Sequence, residues 1–491
     1  MKCNILQYLS MSFVLIASFF CFNLMANAEQ NVQMANGIKI GEVTPSSAVI
    51  WTRLTQNAER NINGKPFPYN VNRKKKKSLH FDNLNIMEGA TPGVSGEVRI
   101  AYWPTSSNDS NLSNGKSEKV WSNWQPVNAQ LDYTHQFTLS SLGVGTDYAV
   151  VVEGRPLEGK TATVEVLGSF HTAAKSQTAS KVTFAVVTGQ DYPRRDDKQN
   201  GHKIYPQMQK LGLDFFVHTG DIEYYDKPAP YADNLELARF KWSRLYAMPF
   251  QRDFHNHTAS YFMKDDHDTL KNDAWPGQTY GDLTWDQGLA LFKEQVPMGE
   301  KTYRTIRWGK DLQIWLVEGR DFRSPNNMKD GPDKTIWGTA QKQWFFDTVK
   351  QSDATFKILI SPTPIVGPDR KKGKNDNHAN LAFKHEGDEI RTFISQQKNM
   401  FTVVGDRHWQ YASVDPATGL KEFSCGPTAD AHAQGFSQKE KSSMHNFLRI
   451  KGGFLSGVVD RIEGVPTVTM RHHGVDGTVY YEDIIKVENS T

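Results

Sequence analysis

Residues 213–226 read LDFFVHTGDIEYYD, and the predicted fold is built around this stretch. The apolar run at 213–217 has the length and composition of a buried strand, and the four residues after it form the turn that ends it. Asp221 is therefore expected at the carboxyl edge of a strand, where open α/β sheets bind ligands. The preceding glycine lets the backbone approach a metal closely, and Tyr224 offers a second oxygen nearby. Taken alone, the pattern also fits an ordinary aspartate in a β-turn.

Alternating strands and helices from residue 181 onward predict an α/β domain over residues 181–491. Besides the strand before Asp221, apolar runs predict strands at 182–188, 312–317, 356–360 and 401–404, and helical spacing predicts helices at 203–211 and 341–350. Polar clusters occur at GQD (189–191), DDHDTLKND (265–273), EGRDFR (318–323) and GDRH (405–408). Since the carboxyl ends of parallel strands meet at one edge of a sheet, these clusters are expected to converge.

Aspartate, asparagine, histidine and tyrosine are the ligands that a pair of hard or borderline cations needs. Two cations about 3.5–4 Å apart can stabilise both ends of an in-line phosphoryl displacement. The pattern assigns Asp221 as the ligand that bridges the two cations and Tyr224 as a terminal phenolate ligand. The remaining positions are assigned to Asn272, Asp406 and His408. Each of these residues, considered separately, could be an ordinary loop residue.

Residues 1–28 have the features of a secretory signal, with a positive charge near the start, an apolar core and an Ala-x-Ala motif that ends at Ala28. The apolar core is too short to span a bilayer, so no transmembrane segment is expected in the mature chain. Phe20 before Cys21 disfavours the alternative of a lipid anchor. We therefore expect a secreted or periplasmic protein. Cleavage leaves Cys425 as its one cysteine, which excludes an internal disulfide.

Residues 31–175 contain short strands separated by turns, which predicts an all-β sandwich domain of the immunoglobulin or fibronectin type. The small polar residues AKSQTAS at 174–180 are the expected linker to the second domain. The formal net charge of +3 is close to balance and shows no nucleic-acid-binding signature. The basic run RKKKK at 73–77 lies in a polar insertion, so a solvated loop is expected and attraction of a polyanion is the alternative.

The sequences HTGDIEYY, DDHDTLKND and GDRH, in this order, resemble the PhoD-like alkaline phosphatases. The resemblance extends to TPSSAVIWTRL at 44–54 and GSFHT at 168–172, and it covers nearly the whole mature chain. It implies an N-terminal β-sandwich followed by a four-layer αββα metallophosphatase domain. It also implies hydrolysis of phosphate esters.

Carried over by position, the resemblance makes Asp221 the bridging ligand and Tyr224 a ligand of Fe³⁺. Asn272 and Asp406 would bind a second ion, often Ca²⁺, and His408 would lie at or beside the metals. Arg320 would hold a phosphate oxygen, with Arg323 as a second candidate for substrate binding. The alternative for Arg320 is a structural salt bridge to Asp321 or to another neighbour.

One position departs from the family pattern. Many members have a cysteine that binds iron at the end of the first catalytic strand, where this chain has Gly189. Asp191 is the candidate replacement ligand. A site with only oxygen and nitrogen ligands would also suit Zn²⁺, Mn²⁺ or Ca²⁺, so the identity of the metals stays open.

The expected reaction is hydrolysis of a phosphate ester by a metal-activated hydroxide, with Arg320 neutralising charge on the phosphate. His267, or failing that His408, is the candidate that protonates the leaving alkoxide. Two other functions remain open. One is a phosphodiesterase of the same fold, and the other is a non-catalytic secreted binding protein that has lost a metal ligand at Gly189.

Overall fold

The computed structural model describes residues 31–67, 81, 83–105, 118–370 and 375–487. The predicted signal peptide at 1–28 and the basic run at 73–77 lie outside the described residues. Over the described ranges, we find no helix with both the length and the apolar character needed to cross a bilayer.

The described residues form twenty-three strands and six α-helices. In chain order the strands are β1 Ile38–Gly41, β2 Ala48–Arg53, β3 Gly96–Pro104, β4 Val120–Trp121, β5 Gln125–Val127, β6 Thr134–Leu139, β7 Asp147–Arg155, β8 Val164–His171, β9 Val182–Val187, β10 Phe215–His218, β11 Ser260–Phe262, β12 Thr279–Tyr280, β13 Leu283–Thr284, β14 Arg304–Trp308, β15 Leu312–Leu316, β16 Phe356–Ser361, β17 Met400–Val404, β18 Gln410–Val414, β19 Lys421–Cys425, β20 His445–Arg449, β21 Phe454–Ile462, β22 Val465–His473 and β23 Val479–Lys486. The helices are α1 Ile204–Gln209, α2 Leu235–Tyr246, α3 Pro249–His257, α4 Trp285–Gln295, α5 Gly338–Gln351 and α6 Lys384–Ser395.

Two large mixed sheets dominate the fold. One has the order β23-β22-β21-β9-β10-β11-β1-β2-β6, and the other has the order β14-β15-β16-β17-β19-β18-β20. Strands β9, β10 and β11 are parallel, as are β15, β16, β17 and β19. The predicted α/β pattern, with polar clusters following parallel strands, is confirmed.

Alternating side chains divide the second half of the chain into four layers. In β9, Phe184 points into the core between the large sheets, whereas Ala185 packs with α1 and α3 on the outside. In β15, Ile314 faces the shared core, whereas Trp315 packs with α5 and α6. Since side chains along a strand alternate between faces, each sheet buries one face against the other sheet and one face against helices. The layer order is helix, sheet, sheet, helix.

Three strands from residues 31–175 belong to the nine-stranded sheet. Strand β1 pairs in parallel with β11, with Gly41 opposite Ser260, and β2 and β6 continue the sheet outward. The other strands of this region, β3, β4, β5, β7 and β8, form a separate five-stranded antiparallel sheet. Ile50 of β2 and Val150 of β7 lie in the same apolar core. The N-terminal β-sandwich and the domain boundary near residues 175–181 stay predictions, although hydrogen bonds join β1 to β11 of the nine-stranded sheet.

Candidate metal centre

A cavity of about 490 Å³ lies where the carboxyl ends of β9, β10, β11 and β17 lead into loops. Strands of both large sheets contribute to it, which explains how clusters far apart in sequence meet. The cavity is lined by all six predicted metal ligands and by the predicted general acid: Asp191, Asp221, Tyr224, Asn272, Asp406, His408 and His267.

The backbone at two of these positions has an uncommon conformation. Asp221 has a φ of 56° and Asp406 has a φ of 60°, and each follows a glycine. Aspartate adopts positive φ angles at an energetic cost, so such residues concentrate at functional sites. A Cβ added to Gly220 would lie 2.7 Å from the backbone nitrogen of Asp265. The glycine is therefore needed to bring the loops after β10 and β11 into contact.

Asp221, Tyr224 and His408 form one side of the cavity. The Tyr224 hydroxyl donates to Asp221 Oδ2 over 2.9 Å and lies 3.1 Å from His408 Nε2. His408 Nε2 is itself 3.7 Å from Asp221 Oδ2. Helix α2, capped at its start by the Asn234 side chain, carries Lys241, whose ammonium donates to the Tyr224 carbonyl. A carboxylate, a phenol and an imidazole thus face one point.

Asp221 belongs to two groups of side chains whose oxygen or nitrogen atoms lie within 4.8 Å of one another. The first group adds Asp266 and His267, and the second adds Asp265 and Asp406. Asp265 and Asp266 were not predicted as ligands, although the run DDHD contained them. Asp221 is the one residue that both groups share.

Positive side chains of the protein only partly compensate the negative charge of the buried carboxylates in this cluster. Burial raises the pKa of Asp221 to about 7, with Asp266 adding to the shift and His267 opposing it. Burial also raises the pKa of Asp265 well above its usual value, although Arg320 opposes the shift. Among the described residues, Asp221 Oδ1 and Asp265 Oδ2 have no hydrogen-bond partner. Buried carboxylate oxygens without donors are costly unless a cation binds them, so the site fits metal ions.

Two of the predicted ligands, Asp191 and Asn272, are each already held by a neighbour. Asp191 Oδ2 is 3.2 Å from Arg194 Nε, and burial raises the pKa of the Asp191 carboxyl. The backbone N–H of Asn272 donates to Asp226 Oδ2 over 3.1 Å, which leaves the Asn272 side chain to line the cavity. The ion pair uses Asp191 Oδ2, which leaves Asp191 Oδ1 as the oxygen that can bind a metal.

His267 is paired with a second acid behind the cavity. Its Nδ1 lies 2.6 Å from Asp226 Oδ1. Burial acts to lower the pKa of His267, but the carboxylates of Asp226, Asp266 and Asp221 outweigh burial and raise the pKa to about 10. The same pair holds the pKa of Asp226 well below its usual value, despite burial. His267 thus keeps a proton beside the candidate metal ligands.

Arg320 and Arg323, the predicted substrate-binding residues, do not line the cavity. Arg320 is 1% exposed, and its Nε donates to Asp265 Oδ1 over 2.6 Å. Arg323 donates to Asn326 Oδ1 over 2.8 Å. The expected alternative partner of Arg320, Asp321, pairs instead with Lys264 at 2.8 Å. In the described chain, the lysine and arginine side chains that line the cavity are Arg194, Lys227 and Arg370.

His432 also lines the cavity and was not identified from the sequence. It is 2% exposed and follows β19 in the loop GPTADAH. Its ring centroid lies 4.2 Å from that of His408 and 5.1 Å from that of Tyr224. The sequence did carry a signal, because Asp430 and His432 follow a strand with the same Asp-x-His spacing as Asp406 and His408.

A dense set of carboxylate, phenol and imidazole groups at the strand ends of a double-sheet αββα sandwich defines the class of metallophosphatases, which are metal-dependent phosphoric ester hydrolases. The structure titled "Structure of PhoD" has the same fold, with a TM-score of 0.67 and 15% identity over 94% of this chain and 93% of that chain. Purple acid phosphatase PPD1 from yellow lupin (Lupinus luteus) seeds also matches, with a TM-score of 0.59 and 12% identity over 91% of this chain and 74% of that chain. At such identities the likeness shows the fold alone.

The chain belongs to the PhoD-like phosphatase family, whose family model matches residues 184–451, more than half of the chain. The resemblance found in the sequence is thereby confirmed, and the protein is a phosphoric ester hydrolase. Comparison with curated protein sequences gives no match.

Proposed function

We propose that this protein is a secreted phosphoesterase with a site for two metal ions, and that Asp221 would be the ligand shared by both. The observation that carries the proposal is the place of Asp221 between two sets of candidate ligands. Its Oδ2 lies 2.9 Å from the Tyr224 hydroxyl and 3.7 Å from His408 Nε2, and its carboxylate also forms a group of potential ligands with Asp265 and Asp406. Secretion rests on the signal predicted at residues 1–28. Amino-terminal sequencing of protein recovered outside the cytoplasm tests it, because the expected mature chain starts after Ala28.

We assign Tyr224 and His408 to one ion, with Asp191 as an additional candidate ligand. Asp265, Asn272 and Asp406 are assigned to the other ion. The family resemblance implies Fe³⁺ and Ca²⁺, whereas the oxygen and nitrogen ligands would also hold Zn²⁺ or Mn²⁺. Once bound, the ions would supply a nucleophilic water near neutral pH and neutralise charge on the phosphate.

The side chains around the cavity provide the remaining functions. His267 lies beside the ligand cluster with its Nδ1 held by Asp226, so its other nitrogen can give a proton to the leaving alkoxide. Arg194, Lys227 and Arg370 give the cavity positive charge that attracts an anionic substrate. We propose that these residues bind the phosphate, and that Arg320 instead positions Asp265 through their buried ion pair.

Elemental analysis of the purified protein tests the proposal, together with assays before and after chelation. We expect about two metal ions per chain, loss of phosphatase activity on chelation, and recovery when the removed metals are restored. A protein with far less than two ions and no activity would instead support the non-catalytic binding protein. Rates on an aryl phosphate monoester and on the matching diester distinguish a phosphomonoesterase from a phosphodiesterase.

Replacing Arg370 with alanine is expected to weaken substrate binding more than it slows chemistry. The Arg370 guanidinium lies 5.6 Å from the centre of the Trp409 ring and lines the cavity, so it can donate charge-assisted hydrogen bonds to a phosphate oxygen. We expect KM to rise by about tenfold with little change in kcat, and inhibition by inorganic phosphate to weaken in parallel.

Arg471→Ala is a matched control for this variant. The Arg471 side chain is 33% exposed, against 31% for Arg370, but it pairs with Glu482 and does not line the cavity. The control is expected to keep the wild-type KM. An unchanged KM and phosphate inhibition in Arg370→Ala would remove Arg370 from the substrate site.

A further inference from the structure

We propose that His432 is a metal ligand of this protein and occupies the ligand position that Gly189 leaves without a side chain. The inference rests on the dinuclear site proposed above and adds a residue that lies outside the motifs quoted from the sequence. It concerns the ion assigned to Tyr224 and His408.

Gly189 lies at a position from which a side chain would reach this ion's ligands. A Cβ built on Gly189 would be 3.3 Å from the Tyr224 hydroxyl oxygen and 3.4 Å from His408 Nε2. Gly189 has a φ of 59°, a backbone conformation that disfavours most side chains. The end of β9 therefore brings only backbone to a place that is surrounded by candidate metal ligands.

His432 is held directly against this position. Its Nδ1 lies 3.1 Å from the carbonyl oxygen of Gly189. The loop that carries His432 is fixed to the same carbonyl by Thr428, whose backbone N–H donates over 3.2 Å and whose hydroxyl donates over 3.1 Å. Three donors from one loop thus converge on the residue that lacks a side chain, and they place the His432 ring beside Tyr224 and His408.

The hydrogen bond to Gly189 also decides which ring nitrogen can bind a cation. A carbonyl oxygen only accepts, so Nδ1 of His432 must carry the proton and Nε2 must present its lone pair. Histidines that bind metals commonly donate their other ring N–H to a carbonyl or carboxylate, which orients the ring. His432 shows this arrangement in a cavity wall where two other candidate ligands lie within ring-contact distance.

The exchange of a thiolate for an imidazole has a chemical consequence. A neutral imidazole brings one negative charge less than a cysteine thiolate and is a harder ligand, so the site should favour a divalent ion such as Zn²⁺ or Mn²⁺ more than the family pattern does.

The test compares wild type, His432→Gln and a control, His472→Gln. His472 is also buried and bonded to a backbone carbonyl, that of Ser424, but it does not line the cavity. Metal content is measured on each purified protein by elemental analysis, and Mn²⁺ affinity is measured by calorimetric titration after chelation. We expect His432→Gln to lose about one of the two ions and to bind Mn²⁺ at least about tenfold more weakly, whereas the control matches wild type.

A second variant, His432→Cys, decides the question if His432→Gln fails to fold. Titration with Cd²⁺ is expected to produce a thiolate-to-metal charge-transfer absorption in His432→Cys but not in wild type, whose Cys425 is buried outside the cavity wall. Wild-type metal content and Mn²⁺ affinity in His432→Gln, or no new absorption in a folded His432→Cys, would overturn the assignment of His432 and leave the proposed function standing. Absence of metal and of Mn²⁺ binding in wild type would overturn both.

Discussion

Asp221→Asn is expected to abolish hydrolysis and, at the same time, to make the metal-free protein more stable. We expect kcat/KM to fall by about 10³-fold or more, because the neutral amide cannot bridge two cations as a carboxylate does. Asparagine tolerates the positive φ at this position and can still accept the hydrogen bond from Tyr224. The loss should therefore reflect charge and ligation more than backbone strain.

The gain in stability has a defined dependence on pH. Burial raises the pKa of Asp221 to about 7 in the folded chain, whereas an unfolded aspartate titrates near its ordinary value of about 3.9. Because the pKa of Asp221 is higher in the folded than in the unfolded chain, its contribution to stability is fully present below pH about 4. This contribution is lost as the pH rises through about 7. Without metal, the ionised Asp221 thus costs a few kcal/mol at pH 8, and Asp221→Asn removes that cost.

Thermal unfolding of the metal-free proteins at pH 8 and pH 5 measures this effect. The variant should unfold at a higher temperature than wild type at pH 8, the difference should shrink at pH 5, and added metal should stabilise wild type more than the variant. Glu422→Gln is the matched control, because Glu422 is also buried but accepts backbone hydrogen bonds from residues 365–367 outside the cavity. Both Glu422 oxygens accept hydrogen bonds, and the amide nitrogen of glutamine cannot, so this variant should lower stability without changing the response to metal. Equal activity in Asp221→Asn and wild type would exclude Asp221 as a bridging ligand.

His267→Gln is expected to slow hydrolysis of alkyl phosphates by about 10²–10⁴-fold while hydrolysis of 4-nitrophenyl phosphate changes little. An alkoxide must be protonated as it leaves, whereas 4-nitrophenolate is a good leaving group without a proton. The comparison of two substrates on one variant separates loss of the general acid from loss of folding or metal, since the latter would slow both reactions equally. Equal losses on both substrates would rule out proton donation by His267.

Asp226→Asn provides the matching test of how His267 is held. Asp226 pairs with His267 Nδ1 and helps to raise the pKa of the imidazole, so it acts as a positioning residue. Its amide variant should lower the pKa of His267 and move the alkaline limb of the kcat/KM profile for an alkyl phosphate to lower pH. An unmoved alkaline limb would show that the pair has only a structural role.

Much of the catalytic half was predictable because its signals are local. The strands predicted at 182–188 and 213–217 are observed at Val182–Val187 and Phe215–His218, and the helix predicted at 341–350 is observed at Gly338–Gln351. Continuous apolar runs identify such strands, and the glycine and aspartate residues that follow mark their ends without knowledge of distant residues. The same local rule placed the predicted ligands in one cavity wall, from Asp191 to His408.

The roles of arginine and of the N-terminal strands were not predictable in this way. Arg320 lies in a motif that suggested phosphate binding, yet its guanidinium is buried against Asp265 from a different loop. Strand β1 was expected in a separate sandwich, yet it pairs with β11 of the catalytic sheet. Both outcomes depend on contacts between residues far apart in sequence, which no local periodicity encodes.

The amino-acid sequence by itself determined the α/β class and the set of polar residues at the strand ends, because apolar runs and turn chemistry act over a few neighbouring residues. The family, and with it the expected αββα arrangement, came from the resemblance of the motifs. Only the tertiary structure decided which of those residues line the same cavity as His432. It also decided that Arg194, Lys227 and Arg370 line this cavity and that Arg320 does not. The physical reason is that ion pairing and burial depend on the packing of whole layers against one another, and this packing sets both the charge and the accessibility of each side chain.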